Sequence, residues 1–259
     1  MLRFAANLST MFTELPFRAR FAAARMAGFD AVEFQFAYDH DPGDLAAELS
    51  SHDLTQVLFN MPPGDFEAGE RGLAALPGME AAFEASVTKA LEYADVLDCK
   101  LLHCMAGIPK VTDSPDKVMA TYVANLQRAA EEAARHDVTI LIEPVNRRDV
   151  PGYFLSEFDL ARRIIETVAA DNVRLQFDFY HRQVVRGDLI HGFRDYLDIT
   201  RHLQIANPPD RTEPGNGEID FDRIFEEIRA SGYTGWIGCE YFPKGPTVES
   251  LKWFEPYRV

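Results

Sequence analysis

Eight short β-prone runs, separated by stretches of helical periodicity, restrict the folds open to this chain more than any other feature. The runs are RFAANLS (3–9), AVEFQF (31–36), TQVLFN (55–60), KLLHCM (100–105), TILIEPV (139–145), VRLQFD (173–178), HLQIA (202–206) and WIGCEY (236–241). Between them, FRARFAAARMAG closes on Gly28 as a C-cap would, and the Ala- and Glu-rich stretches at 79–97 and 114–136 place apolar residues three and four apart. Ser156 and Asp220 stand where the N-caps of two further helices are expected. Such alternation buries both faces of a parallel sheet. Eight repeats of it in 259 residues predict an α/β protein, a single-domain (β/α)8 TIM barrel over 1–259. A doubly wound sheet is the competing arrangement, but the first β-to-α turn lacks the glycine-rich phosphate loop of a dinucleotide fold. One connection, at about 61–78, is too long for an ordinary βα loop and is expected near the active-site rim.

Each run carries a hydrogen-bonding side chain near its C-terminal end: Asn7, Glu33, Asn60, His103, Glu143, Asp178, Gln204 and Glu240. In a barrel those ends form one ring around the mouth, where such side chains meet a common cavity. Taken singly, an Asn, a Gln or His103 can equally well satisfy a loop amide or pack in the core. Glu143, Asp178 and Glu240 together are harder to explain that way. Three converging carboxylates repel one another unless one stays protonated or a cation sits among them. With the amide oxygen of Gln204 they make an all-oxygen set, which favours Mg²⁺ or Mn²⁺ over zinc or copper.

Charge narrows the partners. With 26 basic against 41 acidic residues the formal charge is −15, which repels a phosphate backbone, so nucleic acid is not expected. A small anionic substrate remains compatible, because one arginine or a metal ion outweighs the distant average. No apolar run approaches the roughly 18 residues a membrane span needs. The opening MLRFAANLSTMFTEL meets polar residues too early for a secretion signal, so a cytoplasmic protein without membrane partners is expected. Cys99, Cys104 and Cys239 lack CxxC spacing and read as buried hydrophobes. Apolar helix faces are compatible with a homo-oligomer, although no patch is marked as an interface.

The stretches LIEPVN, QFDFYHRQ, HLQIANPPDRTEPGNGEIDF and GWIGCEYFPKG closely resemble the hydroxypyruvate isomerase family, within the xylose-isomerase-like TIM-barrel superfamily. RFAANLSTMFTELPF and AGERG match too, so the resemblance spans essentially the whole chain. It implies a divalent metal held by Glu143, Asp178, Gln204 and Glu240, with Glu143 and Glu240 as the proton donor and acceptor pair. The implied reaction interconverts hydroxypyruvate and tartronate semialdehyde through an enediolate. Close relatives include 2-oxo-tetronate isomerases, which remain the immediate alternative. Ketose 3-epimerases share the two glutamates and the aspartate but carry His where this chain has Gln204. An endonuclease of the same superfamily would need a basic face and several metal-binding histidines, and a non-catalytic sugar-acid binder would not need two carboxylates facing one cavity.

A small hydroxy-keto acid also needs contacts of its own. Its carboxylate suits an arginine fork, for which Arg211 and Arg71 on proposed rim loops are the candidates. His181 is placed to hydrogen-bond a substrate oxygen, or else packs between Phe179 and Tyr180 at a helix start. Asn7 and His103 complete the substrate-facing set.

Overall fold

In the computed structural model, which describes residues 2–215 and 217–258, eight parallel strands close into a barrel in sequence order. They are β1 (Arg3–Asn7), β2 (Ala31–Phe34), β3 (Thr55–Asn60), β4 (Leu101–His103), β5 (Thr139–Ile142), β6 (Val173–Asp178), β7 (Thr200–Ile205) and β8 (Trp236–Cys239). The last strand returns to the first through the register Phe4↔Ile237 and Ala6↔Cys239. Several strands end sooner than the apolar runs suggest. β5 stops at Ile142 and β8 at Cys239, so Glu143 and Glu240 lie one residue beyond the ladder. Pro144 lacks the N–H that would continue pairing after Glu143.

The helices pack outside. α1 (Ala19–Met26) ends ahead of Gly28, whose φ of +97° supplies the left-handed turn expected there. α2 (Pro42–Ser51) and α3 (Glu80–Leu97) follow β2 and β3. α4 (Pro115–Ala134) is capped by Ser114, whose hydroxyl accepts from the Lys117 N–H at 3.3 Å. α5 (Phe158–Val168) buries Phe158, Ala161, Ile164, Ile165 and Val168, a single stripe at helical spacing. Its N-cap position is Glu157 rather than Ser156, and no side-chain cap is made; the extended Glu157 simply leads the chain into the helix. α6 (Phe179–Val185) and α7 (Leu189–Tyr196) come after β6, and α8 (Phe221–Ala230) is capped by Asp220 as anticipated.

The barrel interior departs from the layers of branched apolar side chains usual in this architecture. A small apolar cluster of Ala5, Ala31, Val57, Leu58 and Leu141 fills one part. Further along the strands the filling is polar: Glu33, Gln176, His202 and Gln204 are all buried. Glu33 accepts from Asn7 Nδ2 (3.0 Å) and Gln204 Nε2 (2.8 Å), and its other oxygen lies 2.8 Å from His202 Nε2. Gly238 makes room for this carboxylate, since a Cβ there would fall 2.3 Å from Glu33 Oε2.

The long connection runs from β3 to α3. Leu73, Ala74 and Ala75 are buried, Ala75 N–H donates to Ala106 O at 2.8 Å, and Asn125 Nδ2 donates to Ala74 O at 2.8 Å. Gly72, at φ +111°, lies against the Met105 carbonyl where a Cβ would clash at 2.2 Å. The segment is thus anchored at its end, and its tip packs Phe66 against Phe36 with ring centroids 5.2 Å apart.

Candidate active site

At the β5–β6 side, Glu143 and Asp178 meet His181. One side-chain ligand atom from each of these three buried residues lies within 4.8 Å of the others. Asp178, the last residue of β6, uses Oδ1 to accept from the Tyr180 N–H (2.7 Å) and so starts α6, while Oδ2 has no hydrogen-bond partner among the described residues. Glu143 Oε1 is likewise buried and unpartnered. Two orphaned carboxylate oxygens side by side are costly in an apolar interior. The donor chemistry fits a hard divalent cation, with the bare carboxylate oxygens of Glu143 and Asp178 as the atoms that would face it.

Glu143 stands between two imidazoles. His103 Nε2 is 3.7 Å from one of its oxygens and His181 Nε2 is 3.9 Å from the other. Burial pushes the His103 imidazolium pKa down to about 3 and holds that of His181 well below the usual value, so both rings are neutral. Burial, with Asp178 and Glu240 nearby, raises the Glu143 carboxyl well above the ordinary range.

The β8 side is furnished differently. Glu240 Oε1 accepts from Gln35 Nε2 (2.9 Å) and Asn7 Nδ2 (3.2 Å), and Oε2 takes the Arg211 guanidinium at 2.5 Å. Burial raises its pKa while Arg211 pulls it back down. Arg211, at φ +55°, also comes within 3.6 Å of Asp178 Oδ2, and its Nε is buried without a partner among the described residues. Asn7 bridges Glu33 and Glu240, which places it beneath the site rather than on the cavity wall. Gln204 lies on the same floor: its amide nitrogen donates to Glu33 and its oxygen accepts from Gln176 at 2.6 Å.

Glu143, Glu240, His103, His181, Arg71 and Arg211 line one cavity of about 160 Å³, closed on its apolar side by Phe36, Phe66, Met105 and Val145. Arg71 arrives from the long connection. Its guanidinium lies 3.7 Å over the Phe66 ring, and Nη1 donates to the Phe66 and Glu70 carbonyls at 2.8 Å each. Glu70 does not pair with it but accepts from the Asp65 N–H, and Glu213 likewise accepts from Lys244 N–H. Gln35, Phe36, Phe66 and Asn146 also belong to the site although the strand-end pattern does not pick them out. Gln35 and Phe36 follow β2, Phe66 sits in the long connection, and Asn146 ends the IEPVN stretch; only the last carries a visible signal, a polar residue closing an apolar run.

A closed parallel barrel with an acid-lined mouth defines a class, and sequence comparison identifies it: residues 21–257 match the family described as xylose isomerase-like TIM barrel, to which this chain belongs. It is 49% identical over 257 residues to the 2-oxo-tetronate isomerase of Cupriavidus necator, covering 99% of each chain. To the hydroxypyruvate isomerase of Escherichia coli it is 43% identical over 258 residues, covering 100% of each. These full-length relatives are isomerases, and the chain is an enzyme of that kind. A crystal structure from Brucella melitensis, titled AP endonuclease, family 2, superposes with a TM-score of 0.98 at 47% identity over the whole of both chains. A D-psicose 3-epimerase from Clostridium cellulolyticum, at 20% identity and a TM-score of 0.78 over 96% of this chain and 88% of its own, shares the fold.

Proposed function

We propose that the protein isomerises a small 2-oxo-hydroxy acid, with hydroxypyruvate and tartronate semialdehyde as the leading pair. The observation that carries this reading is that Glu143 and Glu240, from different strands, face one cavity of about 160 Å³ that Arg71 and Arg211 also line. That volume is below the roughly 300–1,000 Å³ of sites for larger ligands, which suits an acid of three or four carbons. Two arginines complement its carboxylate.

Glu143, Asp178, Gln204 and Glu240 are the residues that would hold a divalent cation, Mg²⁺ or Mn²⁺, and when bound it would supply positive charge for an electron-rich enediolate. Gln204 retains a second lone pair on its amide oxygen for that purpose. The chain's own groups do the proton work. One glutamate takes the proton from the hydroxyl-bearing carbon beside the carbonyl. A proton is returned to the former carbonyl carbon, and the hydroxyl proton passes to the neighbouring oxygen. His181, neutral and facing the cavity, hydrogen-bonds a substrate oxygen; His103 lines the opposite flank of Glu143, and Asn7 holds Glu240 in place. Phe36 and Phe66 keep water from the reacting carbons.

The 2-oxo-tetronate reading is favoured by the 49% identical relative and differs only by a longer substrate. An endonuclease activity is disfavoured by the −15 charge and the small cavity. The test is NMR of each acid in D₂O with the enzyme and Mg²⁺ or Mn²⁺, followed by kcat/KM for both. Deuterium incorporation with a new aldehyde signal is expected. An inert protein, both stripped of metal and reloaded, would reject the isomerase reading.

A further inference from the structure

The imidazole of His181 carries a directional signature. Nδ1 is approached by two nitrogens of Asn146, the backbone N at 3.3 Å and the side-chain Nδ2 at 2.7 Å. The backbone nitrogen can only donate. The amide of Asn146 is oriented independently by the turn after β5: Oδ1 accepts the Asp149 N–H at 2.9 Å, and Nδ2 donates to Asp149 Oδ2 at 3.1 Å. Turning the amide over would set a donor against the Asp149 N–H and an acceptor against its carboxylate. Both donors therefore meet a lone pair on Nδ1, which leaves Nε2 as the nitrogen that bears the ring proton.

That Nε2 lies 3.6 Å from Asp178 Oδ2 and 3.9 Å from Glu143 Oε1, and the ring lines the cavity. An imidazole N–H has no lone pair for a cation. His103 makes the contrast, since the Asn60 amide oxygen lies 3.2 Å from its Nδ1 and so assigns the proton there, leaving Nε2 bare toward Glu143.

We infer that Asn146 is a positioning residue that locks His181 as the Nε2–H tautomer, making His181 a hydrogen-bond donor to the substrate oxygen and not a metal ligand. The tautomer stands on geometry alone, while the donor role rests on the isomerase reading. A turn held by the Asn146 side chain after β5 thereby decides what the neighbouring β6–α6 junction offers the substrate.

Imidazole ¹⁵N–¹H correlation NMR of histidine-labelled protein, with His181 assigned through His181→Asn, reads the tautomer directly. Protonated Nε2 and bare Nδ1 are expected in the native protein, and the reverse would overturn the proposal. The exchanged pair Asn146→Asp with Asp149→Asn keeps the net charge and the turn but offers Nδ1 an acceptor, so the proton should move to Nδ1. An unmoved proton would show that the Asn146 side chain does not set it and would overturn the proposal. The exchange should lower kcat about 10–100-fold, the usual range for loss of an orienting partner, and raise KM less. His181→Asn should bind Mn²⁺, measured calorimetrically, within about threefold of the native protein, against the 10–100-fold loss expected for a ligand or its partner. Loss on that larger scale would overturn the donor assignment. An unreactive protein with the expected tautomer would sink the isomerase reading and leave the tautomer intact.

Discussion

The two glutamates of the proposed acid–base pair sit in the same cavity, both buried, with unequal sets of partners. Glu240 is held by two amides and a guanidinium, all donors that favour its charged form. Glu143 has a bare oxygen and two neutral imidazoles, and its carboxyl is pushed well above the ordinary range by burial. Burial raises both carboxyls, Glu143 well above the ordinary range, and such unequal environments divide paired carboxyl groups between base and acid. The β8 side offers a carboxylate donors of its own, whereas the β5–β6 side relies on outside positive charge.

Substitution tests this asymmetry at several scales. The largest effect expected is on turnover: Glu143→Gln and Glu240→Gln should each lower kcat by about 10²–10⁴-fold, the range general acid–base groups supply. Steady-state assays check this, and full activity in either variant removes that residue from the proton transfer. Stability should separate the two. In chelator-treated protein, Glu240→Gln removes the nearer of the two carboxylates facing the Arg211 guanidinium and should cost about 3 kcal/mol, the lower end for breaking a buried ion pair. Glu143→Gln should be near neutral, because its new amide can donate to the bare His103 Nε2. Equal loss in denaturant titrations would abolish the contrast.

Metal binding should sharpen it further. At a concentration of 100 times its dissociation constant, Mn²⁺ should stabilise the native protein by about 2.7 kcal/mol, with the gain shrinking in Glu143→Gln. Thermal unfolding with and without Mn²⁺ measures this. Below the site, Gly238→Ala forces a methyl onto Glu33 and should destabilise by about 1–3 kcal/mol through overpacking. An unchanged midpoint would mean that Glu33 has room to move. The smallest effect belongs to Phe66→Ala, which removes the platform under Arg71, a contact of about 0.5–1 kcal/mol at exposed sites, and should raise KM about two- to fivefold with kcat retained.

Much of this arrangement is legible in the chain itself. Alternation of apolar runs and helical stripes predicts the barrel, because each element buries its face only in that order. The strand-end position of Asp178 and the near-end positions of Glu143 and Glu240 bring the acids to one mouth. The N-cap at Asp220 follows the pattern, whereas Ser156 does not cap α5. What stays hidden is partnership across the barrel. Nothing local to AVEF announces that Glu33 is shared by Asn7, His202 and Gln204, since those bonds span 26, 169 and 171 positions. Nor does the ring of strand-end residues reveal that Gln35 steadies Glu240, or that Arg211 reaches it from a loop. Such contacts depend on strand register and side-chain direction, which spacing in one segment does not encode.

Gly238 and the carboxylate it admits have a bearing on how a protein of this kind can change over generations. A methyl group introduced first meets the Glu33 carboxyl, and loss of that carboxyl first leaves three side chains without their shared partner. Each replacement is harmful alone and tolerable only together with the other, so descendants should keep both or exchange them jointly. The chemistry at the mouth is then free to diverge through its loops while the polar plug inside the barrel drifts, if at all, by compensating pairs.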